Sequence, residues 1–294
     1  MNELLAPTLH KPWYRRRLMK RALWRAGRAF GLSGLFAWRF EDHWLRVEKH
    51  PMPLPELGEN LQGATLAHIS DVHVCPIVLE RYLGHCVDAI NEMEVDFVAI
   101  TGDFITGPKH YARRAGQVLR RLHPRIATVA CLGNHDYGLL HPSGIGHARG
   151  LADYITEQLT RADIFVMRNE SRVFTSGDSQ LQFVGLDDFW SSYFNPEQAF
   201  EMVREGIPTI ALCHNPDAAP LLNHFPASWV LSGHTHGSPL PKGNMTRNIL
   251  PAKHRHYSAG HYDLDEGKRL YVNRGLSYGR RYNLNSRPEV TLFT

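Results

Sequence analysis

The sequence predicts an α/β domain in which parallel strands alternate with crossover helices. Strand-like apolar runs at 65–70, 96–101 and 126–132 alternate with segments of helical periodicity at 78–93 and 110–122. This βαβαβ order implies parallel strands, because each helix returns the chain to the same end of the sheet. In addition, each of these runs is followed by Asp, Asn or His and by no glycine-rich phosphate loop.

The rest of the chain continues the α/β pattern. We expect one more helix at 147–161, a Gly-, Pro- and His-rich loop at 238–262, and further strands at 181–186, 208–213, 228–232, 269–273 and 289–293. The length of 294 residues and the hydrophobic content of 43% suit one large globular domain or two small ones. The four cysteines show no C-x-x-C spacing, which favours reduced cysteines over disulfides or a zinc knuckle.

The N-terminal segment has a different character. Residues 1–40 contain nine basic residues and one acidic residue, and 14–32 have amphipathic helical periodicity. A Pro-rich connector follows at 49–58, so we expect a basic helical segment with its connector at 1–60 and the main domain at 61–294. No run of 18 apolar residues predicts a transmembrane helix, and no apolar secretory signal is present at the N-terminus.

Clusters of polar side chains follow the predicted strands. In chain order they are Asp71 and His73; Asp103; Asn134, His135 and Asp136; His214; and His234 with His236. Each cluster alone has an ordinary interpretation as a turn or a helix cap. Ligands of open α/β sheets, however, bind beyond the carboxyl ends of strands, and all five clusters carry metal-ligating side chains. The combined pattern therefore favours a metal site.

The order D-x-H, G-D, G-N-H-D, H and G-H-x-H over residues 71–237 resembles the signature of calcineurin-like metallophosphoesterases. The flanking "HNPD" and "NRGLSYG…RPEVTLFT" are similar to the bacterial membrane-associated phosphodiesterase branch. This resemblance implies a four-layer α/β sandwich with two mixed β-sheets flanked by helices. Ser238 and Ser277 stand where that branch tends to have glycine, which bears on the shape of the substrate pocket.

The resemblance also implies a dinuclear metal site. Asp103 is the natural bridge, because one carboxylate has two oxygens. The resemblance assigns Asp71, His73 and His236 to one ion, and Asn134, His214 and His234 to the other. Nitrogen and oxygen ligands without a thiolate suit Mn²⁺ first, with Fe or Zn²⁺ as alternatives. It further implies that His135 faces the leaving group as general acid, and we expect Asp136 to orient its ring.

The expected activity is hydrolysis of a phosphodiester or pyrophosphate bond by a metal-bridging hydroxide. Residues 14–40 suggest an interfacial helix on an anionic membrane, hence a cytoplasmic protein on the inner face of the membrane, although the same helix could pack on the domain. By analogy with members of the superfamily that cleave such a pyrophosphate, we expect a lipid-linked substrate such as UDP-2,3-diacylglucosamine. The phosphate contacts we consider are Arg274, with Arg280 and Arg281, which could equally be solvated or paired with structural acids.

Two other functions remain open from the sequence. One is a nuclease of the same superfamily that binds nucleic acid through residues 11–28. The acidic balance of the rest of the chain argues against it, and we expect no nucleic-acid partner. The other is a non-catalytic scaffold with a degenerate site, which the complete set of ligand residues argues against.

Overall fold

A computed structural model of the chain describes residues 45–237, 257–277 and 287–294. The first of two six-stranded sheets has the strand order β1-β12-β2-β3-β4-β5. Its strands are β1 (Arg46–His50), β2 (Leu66–Ile69), β3 (Phe97–Thr101), β4 (Ala127–Cys131), β5 (Ile164–Val166) and β12 (Glu289–Phe293). β12 pairs antiparallel with β2 and every other pair is parallel, so this sheet is mixed.

The second sheet has the order β10-β11-β9-β8-β7-β6. Its strands are β6 (Glu170–Ser176), β7 (Ser179–Gly185), β8 (Thr209–Leu212), β9 (Trp229–Ser232), β10 (Gly260–Asp263) and β11 (Arg269–Val272). The two edge strands, β6 and β10, pair antiparallel with their neighbours and the inner pairs are parallel. The second sheet is therefore also mixed.

Three hydrophobic clusters separate four layers. The helices α1 (Glu80–Asn91), α2 (His110–Leu119) and α3 (Leu151–Thr160) bury their apolar residues in a cluster with residues of the first sheet. Aromatic and aliphatic residues of both sheets form the second cluster. The third cluster joins the second sheet to the short helix α4 (Pro196–Phe200) and the 3₁₀ helix Pro216–Leu222. The four-layer sandwich expected from the resemblance is thus confirmed.

Four strands escape the sequence prediction. β1 and β10 are edge strands with the sequences RVEKH and GHYD, and both have the partly exposed, polar composition of a loop. β10 corrects the predicted loop at 238–262 over residues 260–262, while 238–256 lie outside the described residues. β5 has only three residues, and β6 forms an antiparallel hairpin with β7. Pairing with a neighbour, rather than an apolar pattern, defines β1, β6 and β10, whereas β5 is apolar (IFV) but only three residues long.

The first described residues already belong to the first sheet. β1 pairs with β12 from Arg46 to His50, so the sheet includes a strand from the predicted connector region. The division at residue 60 stays a prediction, and the predicted basic helix at 14–40 lies outside the described residues. Over the described ranges, no helix has the length and apolar character needed to cross a bilayer. The four cysteines are free, as expected; Cys75 is partly exposed and the other three are buried.

Candidate metal centre

The predicted ligand residues lie where parallel strands of both sheets end. β2, β3 and β4 of the first sheet run in one direction, as do β7, β8 and β9 of the second. The loops that follow these strands meet across the two sheets: His214, after β8, places Nε2 3.3 Å from Oδ2 of Asp103, after β3. We call this end of the sandwich the metal edge. The topology thus brings together five loops that are far apart in sequence.

One group of ligand atoms surrounds the first candidate position. Nε2 of His73 lies 3.2 Å from Nε2 of His236, 3.6 Å from Oδ1 of Asp71 and 3.4 Å from Oδ2 of Asp103. His236 Nε2 lies 3.4 Å from the same Asp71 oxygen. These four side chains are the set expected for one ion, with Asp103 as the bridge.

A second group lies beside the first. Nδ1 of His234 is 3.0 Å from Oδ1 of Asn134 and 3.3 Å from Nε2 of His214. His214 in turn approaches Oδ2 of Asp103, the oxygen that faces His73. One carboxylate oxygen therefore lies between the two groups, which is the arrangement expected of a bridging ligand.

The spacing of these atoms suits metal ions. Two ligand atoms that each lie about 2.1 Å from one ion are separated by roughly 3.0–3.4 Å in octahedral or tetrahedral geometry. The separations at the site run from 3.0 to 3.6 Å, and all but the longest fall within this range. Buried Oδ1 of Asp71 has no hydrogen-bond partner among the described residues. Such an orphaned anionic oxygen fits a cation, because a buried carboxylate oxygen without a partner is costly.

The backbone is strained at the same positions. The φ angles of Asp71, His73, Asp103, His234 and His236 are 51°, 47°, 57°, 71° and 53°. Left-handed residues other than glycine cost about 1 kcal/mol or more each and cluster at functional sites. Two glycines allow the backbones of the ligand-carrying loops to approach each other closely. Gly102 has a φ of 76°, and a Cβ at Gly233 would lie 2.6 Å from Cβ of Ser70.

Hydrogen bonds fix the far sides of the ligands. Nδ1 of His73 lies 2.7 Å from the Thr106 hydroxyl, and Nδ1 of His214 lies 2.6 Å from the Thr101 carbonyl. Both imidazoles therefore present Nε2 to the site. The Asn134 amide donates to the Leu139 carbonyl at 2.7 Å, which leaves its oxygen for the site. Such outer contacts orient metal ligands.

The charges of the site favour a bound cation. Burial disfavours the ionised form of Asp103, but the imidazoles of His214, His135 and His73 outweigh burial and hold the pKa of Asp103 well below its ordinary value. Burial lowers the pKa of His214, but the nearby Asp103 carboxylate raises that pKa well above its ordinary value. The Asp103 carboxylate and the imidazoles thus stabilise each other's charged forms, and a metal ion would compete with protons for the same ligand atoms.

The remaining residues of "GNHD" occupy different places. His135 is 8% exposed, and its ring meets the His73 ring edge-on with centroids 5.1 Å apart. The Asp136 carboxylate accepts hydrogen bonds from the backbone N–H groups of Gly133, Asp103 and Phe104, each at 2.9 Å. Asp136 thus holds the loop that carries the Asp103 carboxylate. A role for Asp136 in orienting the His135 ring stays a prediction.

The predicted substrate contact is paired with acids. Arg274 Nη1 lies 2.7 Å from Glu289 and 3.3 Å from Glu48, which is the alternative left open by the sequence. A role for Arg274 in substrate binding stays a prediction. Ser277 is buried, and its N–H donates to the Asp71 carbonyl at 3.0 Å. Arg280, Arg281 and Ser238 lie outside the described residues.

Sequence reasoning missed a sixth loop at the metal edge. β7 ends in "GLDDFW", and the indole ring of Trp190 meets the His234 ring edge-on with centroids 4.8 Å apart. Asp188 is fully buried and accepts a hydrogen bond from the Trp190 N–H at 2.9 Å. The predicted strand at 181–186 is followed directly by Asp187 and Asp188. The search for polar residues after predicted strands, which found the other clusters, could therefore have found this loop.

Comparison with known proteins agrees with this geometry. The chain is 29% identical to the UDP-2,3-diacylglucosamine pyrophosphatase LpxG of Chlamydia trachomatis, over 89% of this chain and 92% of that protein. It is 28% identical to the phosphodiesterase YaeI of Escherichia coli, over 86% and 88% of the two chains. It is also 28% identical to the uncharacterized metallophosphoesterase YkuE of Bacillus subtilis, over 92% and 90%.

A match to a protein-family model covers most of the domain. The family model for calcineurin-like phosphoesterases matches residues 64–238, which include every predicted metal ligand. Enzymes of this family use two divalent metals, and Asp and His clusters that could hold such ions lie at the metal edge. This chain is a metallophosphoesterase-type hydrolase and belongs to the calcineurin-like phosphoesterase family.

Proposed function

We propose that this protein hydrolyses a phosphodiester or pyrophosphate bond with two divalent ions, Mn²⁺ first among the candidates. The observation that carries the proposal is the convergence of seven side chains from five loops, with Oδ2 of Asp103 between the two groups. The ions would be held by Asp71, His73, Asp103 and His236 on one side and by Asp103, Asn134, His214 and His234 on the other. When bound, they supply an activated water and offset the charge of the phosphate.

The residues of the chain supply the rest of the chemistry. His135 lies beside His73 at the rim of the ligand cluster, where its imidazole would donate a proton to the leaving oxygen. The backbone N–H of His135 donates to Oδ1 of Asp103 at 2.8 Å. This hydrogen bond ties the backbone of the proposed acid to the proposed bridging carboxylate. Asp136 would act through the backbone, by holding Asp103 in its strained conformation.

The test of the metal centre is substitution of the bridge. Asp103→Asn should lose at least one ion and reduce hydrolysis of bis(p-nitrophenyl) phosphate by about 100-fold or more, because loss of even an outer partner of a ligand costs about 10–100-fold. Elemental analysis gives ions per chain after gel filtration. Asp96→Asn is the control, because that carboxylate accepts from the Thr65 N–H at the opposite end of the sheet. Two tightly held ions in Asp103→Asn would refute the bridging role.

The finer proposal concerns the substrate and its location. A relative named as a UDP-2,3-diacylglucosamine pyrophosphatase suggests a lipid-linked diphosphate for this chain. The basic amphipathic segment at 14–40 suits peripheral attachment to the anionic inner face of a membrane, since each Lys or Arg near such a surface contributes about 1 kcal/mol. Arg46, six residues after this segment, pairs with Glu289 at the metal edge.

Charge removal tests the membrane proposal. The variant replaces six basic residues with Gln: Arg16, Arg17, Lys20, Arg21, Arg25 and Arg28. The unmodified chain should co-sediment with phosphatidylglycerol vesicles at low salt, and the variant should not. Equal sedimentation of the two proteins would refute the role of these charges. Salt-sensitive DNA binding by the unmodified chain, without vesicle binding, would favour the nuclease alternative.

A further inference from the structure

The loop between the 3₁₀ turn Asn134–Tyr137 and helix α3 exposes two large aliphatic side chains. Leu140 is 61% exposed and Ile145 is 63% exposed. The Leu140 N–H donates to the Ile145 carbonyl at 2.9 Å, which closes the loop. A Cβ at Gly146 would lie 3.1 Å from Cγ of Leu140, so the Leu140 side chain packs beside the residue that follows Ile145. The two side chains thus form one apolar tip.

This apolar tip is attached directly to the metal centre. The Leu139 N–H donates to the Asn134 carbonyl at 2.8 Å, and the Asn134 amide donates back to the Leu139 carbonyl at 2.7 Å. Leu139 itself is 3% exposed, and the Ala148 N–H donates to the Tyr137 carbonyl at 2.9 Å. Both ends of the loop are therefore anchored beside a predicted metal ligand.

Other exposed apolar residues lie at the same edge. Tyr193 is 54% exposed in the loop that follows β7, and Leu79 is 40% exposed between β2 and α1. β2, β4 and β7 end at the metal edge, so the loops with Leu79, the apolar tip and Tyr193 all begin there. Loops that follow three strands thus each expose a large apolar side chain near one edge, which is typical of an interaction surface when the side chains lie close together.

Charge indicates what this surface meets. Residues 138–150 contain Arg149, two histidines and no Asp or Glu. The described residues together carry a net charge of −8, because the segments 1–44, 238–256 and 278–286 carry +6, +4 and +2 of the total of +4.

The described residues that flank the positively charged segments lie at the metal edge. Arg46 N–H donates to the Pro288 carbonyl, Thr235 Oγ1 donates to the Ser258 carbonyl, and Ser277 N–H donates to the Asp71 carbonyl. The chain enters and leaves its positively charged sequences at this edge, and positive charge attracts an anionic surface.

We infer that the apolar tip of Leu140 and Ile145 inserts into the interfacial layer of an anionic lipid bilayer and sets the metal edge against the membrane. The inference rests on the proposed membrane location and adds a second contact, independent of residues 14–40. Basic residues give long-range attraction, whereas insertion of two aliphatic side chains removes apolar area from water and persists when salt screens the charges.

The experiment compares full-length chains in 0.5 M NaCl with vesicles of phosphatidylglycerol and phosphatidylcholine. Leu140→Ser/Ile145→Ser should lower the partition coefficient on the order of tenfold, because two largely exposed aliphatic side chains no longer enter the lipid. Met202→Ser is the matched control. Met202 is 75% exposed. It lies near the amino end of β8, away from the metal edge, because the nearby Arg204 N–H donates to Gln182 and Gln182 pairs with Thr209, the first residue of β8.

The outcomes separate this inference from the proposed function. Hydrolysis of soluble bis(p-nitrophenyl) phosphate should be unchanged in the double variant, which shows that the fold and metal centre are intact. If that variant is misfolded, Ile145→Asn alone serves the same comparison. Partition equal to that of the unmodified chain, or loss as large in Met202→Ser, would overturn the inference. Absence of hydrolysis in the unmodified chain would refute the proposed function and leave the partition measurement interpretable.

Discussion

The three polar side chains at 134–136 serve different purposes although they are adjacent in sequence. Asn134 presents its oxygen to His234, and Asp136 bonds three backbone N–H groups. The His135 ring lies against the His73 ring and is 8% exposed. The 3₁₀ turn from Asn134 to Tyr137 produces this divergence, because successive side chains leave a tight turn in different directions.

The role of His135 predicts a dependence on the leaving group. His135→Ala should retain its metals, because the ring is not among the ligand atoms of the two groups. Loss of a general acid should lower the rate by about 10²–10⁴-fold for a poor leaving group, such as an alkyl phosphodiester, and much less for nitrophenol. His147→Ala, an exposed histidine of the following loop, is the control. An equal loss for both classes of substrate would assign His135 another role.

At the scale of elements, the 3₁₀ helix Pro216–Leu222 depends on a distant lysine. Nζ of Lys268 donates to the carbonyls of Leu222, at 3.4 Å, of Phe225, at 2.6 Å, and of Asn223. These groups lie at the carboxyl end of the helix, where carbonyls lack partners within the helix and a positive charge is favourable. This helix covers the outer face of the second sheet. Lys268 therefore fastens one of the outer layers.

Removal of the ammonium should loosen this layer and spare the metal centre. Lys268→Met should lower the free energy of unfolding by about 1.5–3 kcal/mol, since the hydrogen bonds involve a charged donor. Urea denaturation followed by circular dichroism measures the change, and diester hydrolysis per folded molecule should stay constant. Lys109→Met, at an exposed site, should change stability by less than about 0.5 kcal/mol. A shift of the same size in both variants would contradict the prediction.

At the scale of the whole molecule, a buried polar network joins the two sheets. Tyr271 of the second sheet donates its hydroxyl to Oε1 of Glu289 in the first sheet at 2.7 Å. The Asn273 amide donates to the Thr291 hydroxyl at 2.9 Å and to the His68 carbonyl at 3.1 Å. Because these groups lie between the layers, they fix the position of one sheet relative to the other, and with it the meeting of ligands at the metal edge.

Loss of the Glu289 carboxylate should weaken the contact between sheets. Glu289→Ala removes the carboxylate that lies 2.7 Å from both the Tyr271 hydroxyl and the Arg274 guanidinium, and removal of one partner of a buried ion pair costs about 3–5 kcal/mol. Because Arg274 is partly exposed, we expect the free energy of unfolding to fall by an amount near the lower of these figures. The midpoint of urea unfolding measures this loss of stability. Glu48→Ala, which removes the more exposed partner of Arg274, should cost much less, and equal losses would refute the role of Glu289.

The sequence by itself determined the order and the ends of the inner strands. Strands such as β3 and β8 are fully buried, so their apolar runs are visible locally, and the residues after them, such as Asp103 and His214, are visible as strand-end polar clusters. Parallel strands place their carboxyl ends at one edge, so local pattern predicted polar side chains at such an edge, whereas the family resemblance supplied their division between two ions.

Tertiary structure alone decided the features that depend on partners far along the chain. β1 and β10 are strands because they pair with β12 and β11, and their own residues are polar. Arg274 is held by Glu289 and Glu48, the second of which lies 226 residues away. Hydrogen bonds between edge strands and ion pairs between sheets are set by which surfaces the fold brings together, and periodicity within one segment carries no information about that choice.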